Sequence, residues 1–535
     1  MLKFKDLRLS VILVPGLIFI AVVIAGAINS KQLMVFLNTQ FERIMVNFGW
    51  LISIGMLVFI GFMVFLIFHP LGKIRLGGEK AKPKFTRWQW FTVSLISGIG
   101  TGIVFWGSVE PLLFFMEPAP SLGLEPGSNA AKIWAMSTTF MHWSFTPYAI
   151  YVTFGVILAY VYHNMKKEAN VSSGFIPLMG DRAGKGMFAS FIDALTVFAI
   201  IGGIAGSFGW GLLQIGEGFN LVFNIEPTTF LYFSIAAAIM LVYTLSSISG
   251  LQKGILFLSD KNAWVFIGLM LVVFIFGPTA YIMNLMTEAT GSFLSNFVQN
   301  MTYTAPFPDG ELWPQRWDMY WWTDWLSFAP IMGLFFMRLA YGRTIREFVI
   351  VNWMLPALFG ILWFSIFGGT VLFEQAFGTG EIYDFYKANG EEALTFATFD
   401  LLTFGTFDLS ALSLVLKTIM LVTVGFSFIT MTDSMVSTVS TMSMKNNAGV
   451  KEAPIALKIF WGVLIAASSL VFMLSGGIGG IKTVKTFAGF PILFIGLFML
   501  IGFLRYMKKR PRTPYGQFVY EDALLDEDNE ASDKK

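Results

Sequence analysis

Twelve apolar stretches, each long enough to cross a bilayer and joined by short polar connections, constrain this chain more than any other feature. A helix needs roughly 20 mostly apolar residues to span a hydrocarbon core. The stretches lie at 11–29, 47–69, 89–116, 132–162, 187–223, 229–248, 261–286, 320–341, 349–374, 409–440, 454–475 and 482–506. In lipid only helices and closed barrels satisfy every backbone group, and these runs are too long for barrel strands of about 10 residues. The sequence therefore predicts an all-α integral membrane protein with twelve transmembrane helices. Composition agrees, with 55% of the 535 residues hydrophobic and 13% charged.

Charge distribution sets the orientation. The net charge is only +2, yet basic residues gather after the second run, at Lys73, Arg75, Lys80, Lys82, Lys84 and Arg87, and after the last, at Lys508, Lys509, Arg510 and Arg512. The positive-inside rule then puts both termini in the cytoplasm, which an even number of spans allows and an odd number forbids. Lys3, Lys5 and Arg8 precede the first run as they would in a signal peptide, but no small-residue cleavage site follows, so the run reads as a retained first helix. The basic start of the tail suits anionic headgroups and its acidic run from Glu521 to Glu530 suits solvent, with a regulatory role as the alternative. Between the ninth and tenth runs, 376–408 mixes Glu381, Asp384, Glu391, Glu392 and Asp400 with aromatics and reads as an amphipathic surface helix.

Several kinds of chemistry have no support. There is no cysteine, and His69, His142 and His163 are too scattered for a metal cluster. No Ser/His/Asp arrangement or His-Glu-x-x-His pattern points to an enzyme, and nothing calls for a cofactor or a nucleic-acid partner.

Two runs are interrupted by helix-breaking residues: the third by Gly98, Gly100, Gly102 and Gly107, and the eighth by Pro330 and Gly333. The glycine string lacks the preceding strand and the lysine of a phosphate loop. Either it packs helices closely through small residues, or it is a broken helix lining a cavity, as in many transporters. Both interruptions fall near mid-membrane. The two runs stand five apart, the spacing of two inverted five-helix repeats (spans 3–7 and 8–12) behind two extra helices. The corresponding segments are 1–88, 89–290, 291–319, 320–507 and 508–535.

Aromatic residues accompany these runs. Trp143, Tyr148 and Tyr151 fall within about 140° of arc on the fourth run, next to Pro147, which loosens a helix locally. Trp325, Phe328 and Asp324 share a face of the eighth. Such faces either meet lipid or attract a quaternary ammonium by cation–π forces. Asp324 is a functional charge inside a span or a residue of the outer interface; Glu110, Asp193, Glu217 and Asp433 are further acids in or near spans.

With these residues in view, the chain resembles the betaine/choline/carnitine transporters over about residues 8–508. The most specific stretch is Arg338-Leu339-Ala340-Tyr341-Gly342-Arg343-Thr344-Ile345-Arg346-Glu347-Phe348. The glycine run, His142-Trp143…Pro147…Tyr151 and Thr430…Asp433-Ser434 are similar to the family as well. The resemblance implies a LeuT-like inverted repeat, a homotrimer in the bacterial or archaeal cytoplasmic membrane, and membrane lipid as surroundings. It also implies secondary transport by alternating access of a small quaternary-ammonium compound: glycine betaine, carnitine, butyrobetaine or choline. The substrate box it implies is Trp143, Tyr148, Tyr151, Asp324, Trp325 and Phe328, beside Gly98, Gly100 and Gly102.

The chain departs from the family pattern in two respects. Tyr148 and Phe328 stand where betaine carriers usually have tryptophan, and Asp324 where an aromatic is usual, which suits a net cation such as choline or a protonatable site. The sodium-coupled branch has threonines where this chain has Ile200 and Ile204, and a Thr-Ser pair where it has Thr430-Met431. Met332 resembles the methionine of sodium-independent exchangers. Sodium wants several oxygen ligands, so the resemblance implies sodium-independent exchange. A sodium- or proton-coupled symporter is the alternative, and a channel or osmosensor a further one.

Overall fold

The computed structural model of the chain describes residues 6–87, 90, 101–249, 252–306, 311–404, 407–408, 410–445 and 453–510. Among them the β pairing is confined to the two-residue strands Thr403–Phe404 and Phe407–Asp408 and to isolated bridges of Leu7 with Met444 and Arg75 with Thr344; most of the rest is helix. In chain order the principal helices are α1 (Leu9–Phe68), α2 (Thr101–Met116), α3 (Asn129–Trp143), α4 (Phe145–His163), α5 (Gly186–Phe223), α6 (Thr229–Ser249), α7 (Gln252–Phe276), α8 (Thr279–Ser295), α9 (Asp318–Leu339), α10 (Leu355–Phe377), α11 (Ile382–Asn389), α12 (Glu391–Ala397), α13 (Ser410–Met442) and α14 (Ile455–Lys509). Six helical stretches among the described residues are long and apolar enough to cross a bilayer.

Two of these are long enough to cross twice. The 60 residues of α1 would measure about 90 Å if straight, roughly three hydrocarbon thicknesses. The chain instead turns at Asn29 (φ −153°, ψ 83°), between the first two apolar runs. The 55-residue α14 turns likewise at Gly477, whose φ of 53° lies in the left-handed region open to glycine, between the last two runs.

The structure corrects the sequence reading at three places. The helix expected over 261–286 ends at Phe276; the chain bends by 105° and continues as α8. Gly277-Pro278 stands at the bend, where the proline ring drives the preceding residue out of helical geometry. The surface helix expected within 376–408 is two helices, and α12 is buried: Thr395 Oγ1 donates to the carbonyls of Val104 and Phe105 on α2, and Ser108 Oγ lies 2.7 Å from Thr398 Oγ1.

The third correction matters most. The eighth run, whose apolar pattern is interrupted at Pro330 and Gly333 as in a broken helix, is the continuous helix α9. Gly333 serves packing instead, since a Cβ there would stand 2.6 Å from Phe154 Cβ on α4. The break is in the fourth run, at Ser144 (φ −116°, ψ −106°), where α3 ends and α4 begins. Pro147 accounts for it: it has no N–H to offer the carbonyl of Trp143 four residues back, and its ring would collide with that oxygen in a continuous helix. In the third run α2 is helical from Thr101 through Gly102 and Gly107, while Gly98 and Gly100 lie outside the described residues, as do 511–535 of the tail.

Helices α3 and α4 form the centre of the bundle. Their most apolar stretch is 94% buried, against 33% for α1, which lies at the periphery. The most extensive helix contact is α14 on α5, followed by α9 on α4. A glycine permits the approach of α14 to α9: a Cβ at Gly489 would fall 1.7 Å from the carbonyl oxygen of Thr323. Gly489→Ala is therefore expected to destabilise the protein by about 3 kcal/mol or more through overpacking. Gly425→Ala, with nothing within 4 Å of its Cβ, should leave stability unchanged or raise it by about 0.5–1 kcal/mol. Thermal unfolding in detergent measures both, and equal effects would show that the close approach is not rigid.

Candidate functional site

The break at Ser144 exposes backbone in the middle of the bundle, and two indole side chains and a glycine from α9 and the α10 region attend to it. The indole of Trp325 on α9 donates to the carbonyl of His142 at 3.0 Å. Trp353, in the π-helical turn Ile350–Met354 ahead of α10, donates to the carbonyl of Phe145 at 2.8 Å. Gly360 on α10 faces the Trp143 carbonyl, where a Cβ would come within 2.4 Å of the oxygen. A buried carbonyl left unpaired costs about 1–3 kcal/mol, so these donors fix α9 and α10 against the break.

Glu110 on α2 holds the two residues ahead of the break. Its Oε1 lies 2.5 Å from His142 Nδ1, and its Oε2 accepts from Trp143 Nε1 at 2.8 Å. The other ring nitrogen of His142 lies 2.8 Å from Asp318 Oδ1, at the start of α9. Glu110, His142 and Asp318 are all buried. A cavity of about 330 Å³ adjoins Asp318 at the end of the bundle where Trp134, Tyr303 and Trp313 also line it.

Held this way, Trp143 presents its ring to a cluster of aromatics. It packs edge-on to Trp321 at 4.6 Å and to Trp325 at 4.9 Å between centroids. Trp321 and Trp325 are stacked at 5.5 Å, Tyr151 meets Trp325 at 6.3 Å, and Tyr148 meets Tyr151 at 6.3 Å. Gly102 lies under this group, its Cβ position 3.3 Å from Trp143. Of the residues the sequence singled out, Trp143, Tyr148, Tyr151, Trp325 and Gly102 thus come together. Phe328 faces away from them, against Gly203 and 5.4 Å from the ammonium of Lys485.

Asp324 is not the free negative charge, or the interface residue, that its position suggested. Its carboxylate is 1% exposed and straddled by Lys485 Nζ on α14, 2.9 Å from Oδ1 and 3.0 Å from Oδ2, while Tyr320 Oη donates to Oδ2 at 3.3 Å. Gly206 on α5 leaves the room that the lysine stem needs. The argument that Asp324 suits a net cation therefore fails, because its charge is already matched. Lys485 Nζ also sits 3.5 Å from the ring centroid of Trp210, and Lys482, one turn earlier, sits 3.5 Å from that of Trp317.

These two lysines and Trp106, Trp210, Trp317 and Trp321 are candidate residues that sequence reasoning alone does not single out. The signal was available: two ammonium groups three apart at the edge of an apolar run are costly unless partnered. They look like the polar end of a span at 482, whereas the helix beyond Gly477 already encloses them.

The positions compared with an ion site are largely apolar. Ile200 and Ile204 are buried on α5, and Met332 is buried on α9. On α13 the Thr430 hydroxyl donates to the carbonyl of Phe426 at 2.7 Å, and Met431 contributes a thioether. Among the described residues no group of three or more His, Cys, Asp or Glu side chains could hold a metal ion.

A family model described as BCCT, betaine/carnitine/choline family transporter, matches residues 10–512. A probable glycine betaine transporter of Desulfitobacterium hafniense is 31% identical over 503 residues, 93% of this chain and 97% of that one. The glycine betaine transporter OpuD of Bacillus subtilis is 31% identical over 493 residues, covering 92% and 93%. An ectoine/hydroxyectoine transporter of Virgibacillus pantothenticus is 29% identical over 497 residues, covering 93% and 96%.

The buried pair gives a stability test. Asp324→Asn or Lys485→Met alone strands one charge in the bundle and should cost about 3–5 kcal/mol, whereas the double variant should recover most of that loss. A double-mutant cycle on thermal unfolding reads the coupling, and additive losses would show that the two side chains do not pair.

Proposed function

The chain belongs to the betaine/carnitine/choline transporter family, and from that premise we propose that it carries a small quaternary-ammonium compound by alternating access, using the ring cluster at the Ser144 break as its cation site. It is a multi-pass membrane transporter and not an enzyme. The observation that carries the reading is the grouping of Trp143, Trp321, Trp325 and Tyr151 around a discontinuous helix. A trimethylammonium group has no N–H to donate, so ring faces are its natural partners, each contributing about 0.5–2 kcal/mol when desolvated.

In this reading twelve spans form two inverted five-helix repeats, of segments 89–290 and 320–507, behind the two spans of α1. Both termini are cytoplasmic, and three copies assemble. The end bearing Trp313 and Asp318 is external, and the cavity there is the outer approach. Glycine betaine is the first candidate, from the relatives' names, with carnitine, butyrobetaine and choline behind it.

Transport is proposed to be sodium-independent exchange. The side chains of Ile200 and Ile204 offer no oxygen, and Met332 and Met431 offer soft sulfur, leaving the Thr430 hydroxyl as the one side-chain oxygen at these positions, too few for a hard ion that wants several. A second reading, proton-coupled symport, is favoured by one observation: Asp324 and Lys485 form a titratable pair wholly inside the bundle.

Uptake of labelled glycine betaine into proteoliposomes separates these readings. Exchange predicts stimulation by internal unlabelled substrate with no response to sodium or to a pH gradient. Stimulation by an inward proton gradient alone would favour the symport reading, and strict dependence on sodium would overturn both. Trp325→Ala should raise the apparent KM at least tenfold, the equivalent of about 1.4 kcal/mol of cation binding, and an unchanged KM would remove Trp325 from the site.

A further inference from the structure

We propose that Trp106, Trp210 and Trp321, together with the ammonium of Lys482, bind the carboxylate of a zwitterionic substrate, and that this pole makes the transporter select zwitterions over quaternary-ammonium cations lacking an acid. The inference rests on the cation site proposed above and deepens it by naming the other half of the substrate.

The three tryptophans form a triangle. Trp106 on α2 lies 5.8 Å from Trp210 on α5 and 5.3 Å from Trp321 on α9, and Trp210 lies 5.9 Å from Trp321, between ring centroids. Each has an indole N–H that is buried and without a hydrogen-bond partner among the described residues. An indole nitrogen is a donor only, and a buried donor left unpaired is costly, so three on touching rings call for an acceptor. Trp321 belongs to both groups: it also packs against Trp143 and stacks on Trp325. A compact molecule with a cation at one end and an acid at the other would span that shared ring.

Charge points the same way. Lys482 Nζ rests on aromatic faces, 3.5 Å from the centroid of Trp317, 4.8 Å from Tyr320 and 5.4 Å from Trp106, and has no ion pair among the described residues. Lys485 is matched by Asp324, and Glu110 is engaged by His142 and Trp143. Lys482 is thus the ammonium beside the triangle that has no ion-pair partner among the described residues, while Glu110 and Asp318 share the single His142. That ammonium repels a second uncompensated cation and attracts a carboxylate, which is a stronger partner for an ammonium than ring faces are. On this account Lys482 exchanges its aromatic cage for the substrate's acid.

Three probes of nearly equal size test this: glycine betaine, its methyl ester, and choline, the last two keeping the trimethylammonium but carrying no negative charge. Binding to the purified full-length protein is followed by tryptophan fluorescence or by competition with labelled glycine betaine. The wild type should bind glycine betaine at least tenfold more tightly than the ester or choline. Lys482→Met should reduce that preference about tenfold by weakening betaine alone, and Lys482→Arg should restore most of it. Trp210→Phe keeps a ring under Lys485 but loses the donor, and should reduce the preference severalfold. Equal affinities in the wild type, or variants that weaken all three probes in parallel, would overturn the carboxylate pole while leaving the cation site standing. No saturable binding of any probe by folded wild type would overturn the cation site and this inference with it.

Discussion

The structure turns on one missing hydrogen-bond donor. Pro147 cannot donate to the carbonyl of Trp143, so the fourth apolar run splits at Ser144 in the middle of the bundle, where water cannot repair the backbone. Every neighbour of the break has a matching feature: the Trp325 and Trp353 indoles donate to the His142 and Phe145 carbonyls, and Gly360 lets α10 close on the Trp143 carbonyl. Satisfying the break and building the site are thus the same act. The donor that caps His142 belongs to a ring that faces Trp143, so α9 cannot move far from α3 without losing both contacts. A carrier that must change shape around a fixed site needs such a point, where backbone and recognition are tied together.

Charge is organised around that point in two sets. Glu110, His142 and Asp318 link α2, α3 and α9 on one side, while Asp324 and Lys485 link α9 and α14 on the other. Ionised groups inside a bundle are tolerable only when paired, and each pair here crosses between helices, so rearranging these helices must keep the pairs together or re-form them. Lys482 is the exception, with aromatic faces in place of a counter-ion. Positive charge in the core is thus carried by lysine side chains, Lys482 and Lys485, both enclosed by aromatic rings.

Much of this was legible in the sequence, and the parts that were not share a cause. Apolar run length located the spanning segments, and Pro147 beside Trp143 located the loosened helix, because both are local properties. The same local reasoning failed at Pro330 and Gly333, where α9 stays continuous since Gly333 is consumed by contact with Phe154. It also merged α7 with α8, although Gly277-Pro278 was there to be read as a bend. Asp324 was noticed and misjudged: its partner lies 161 residues away, and no periodicity reveals which lysine neutralises which acid. Helical spacing combined with family resemblance singles out Trp143, Tyr148, Tyr151 and Trp325, whose rings do lie together. Phe328, one turn further on, rotates toward α5 and Lys485 instead.

The most direct test of the account is the position of a bound substrate, determined by electron cryo-microscopy or crystallography of the protein saturated with glycine betaine. The account predicts the trimethylammonium group against Trp143 and Trp325, with Tyr151 within reach and Ser144 still marking the break in the helix. Density for the substrate confined to the cavity beside Trp313 and Asp318, with the ring cluster closed as it is here, would contradict it.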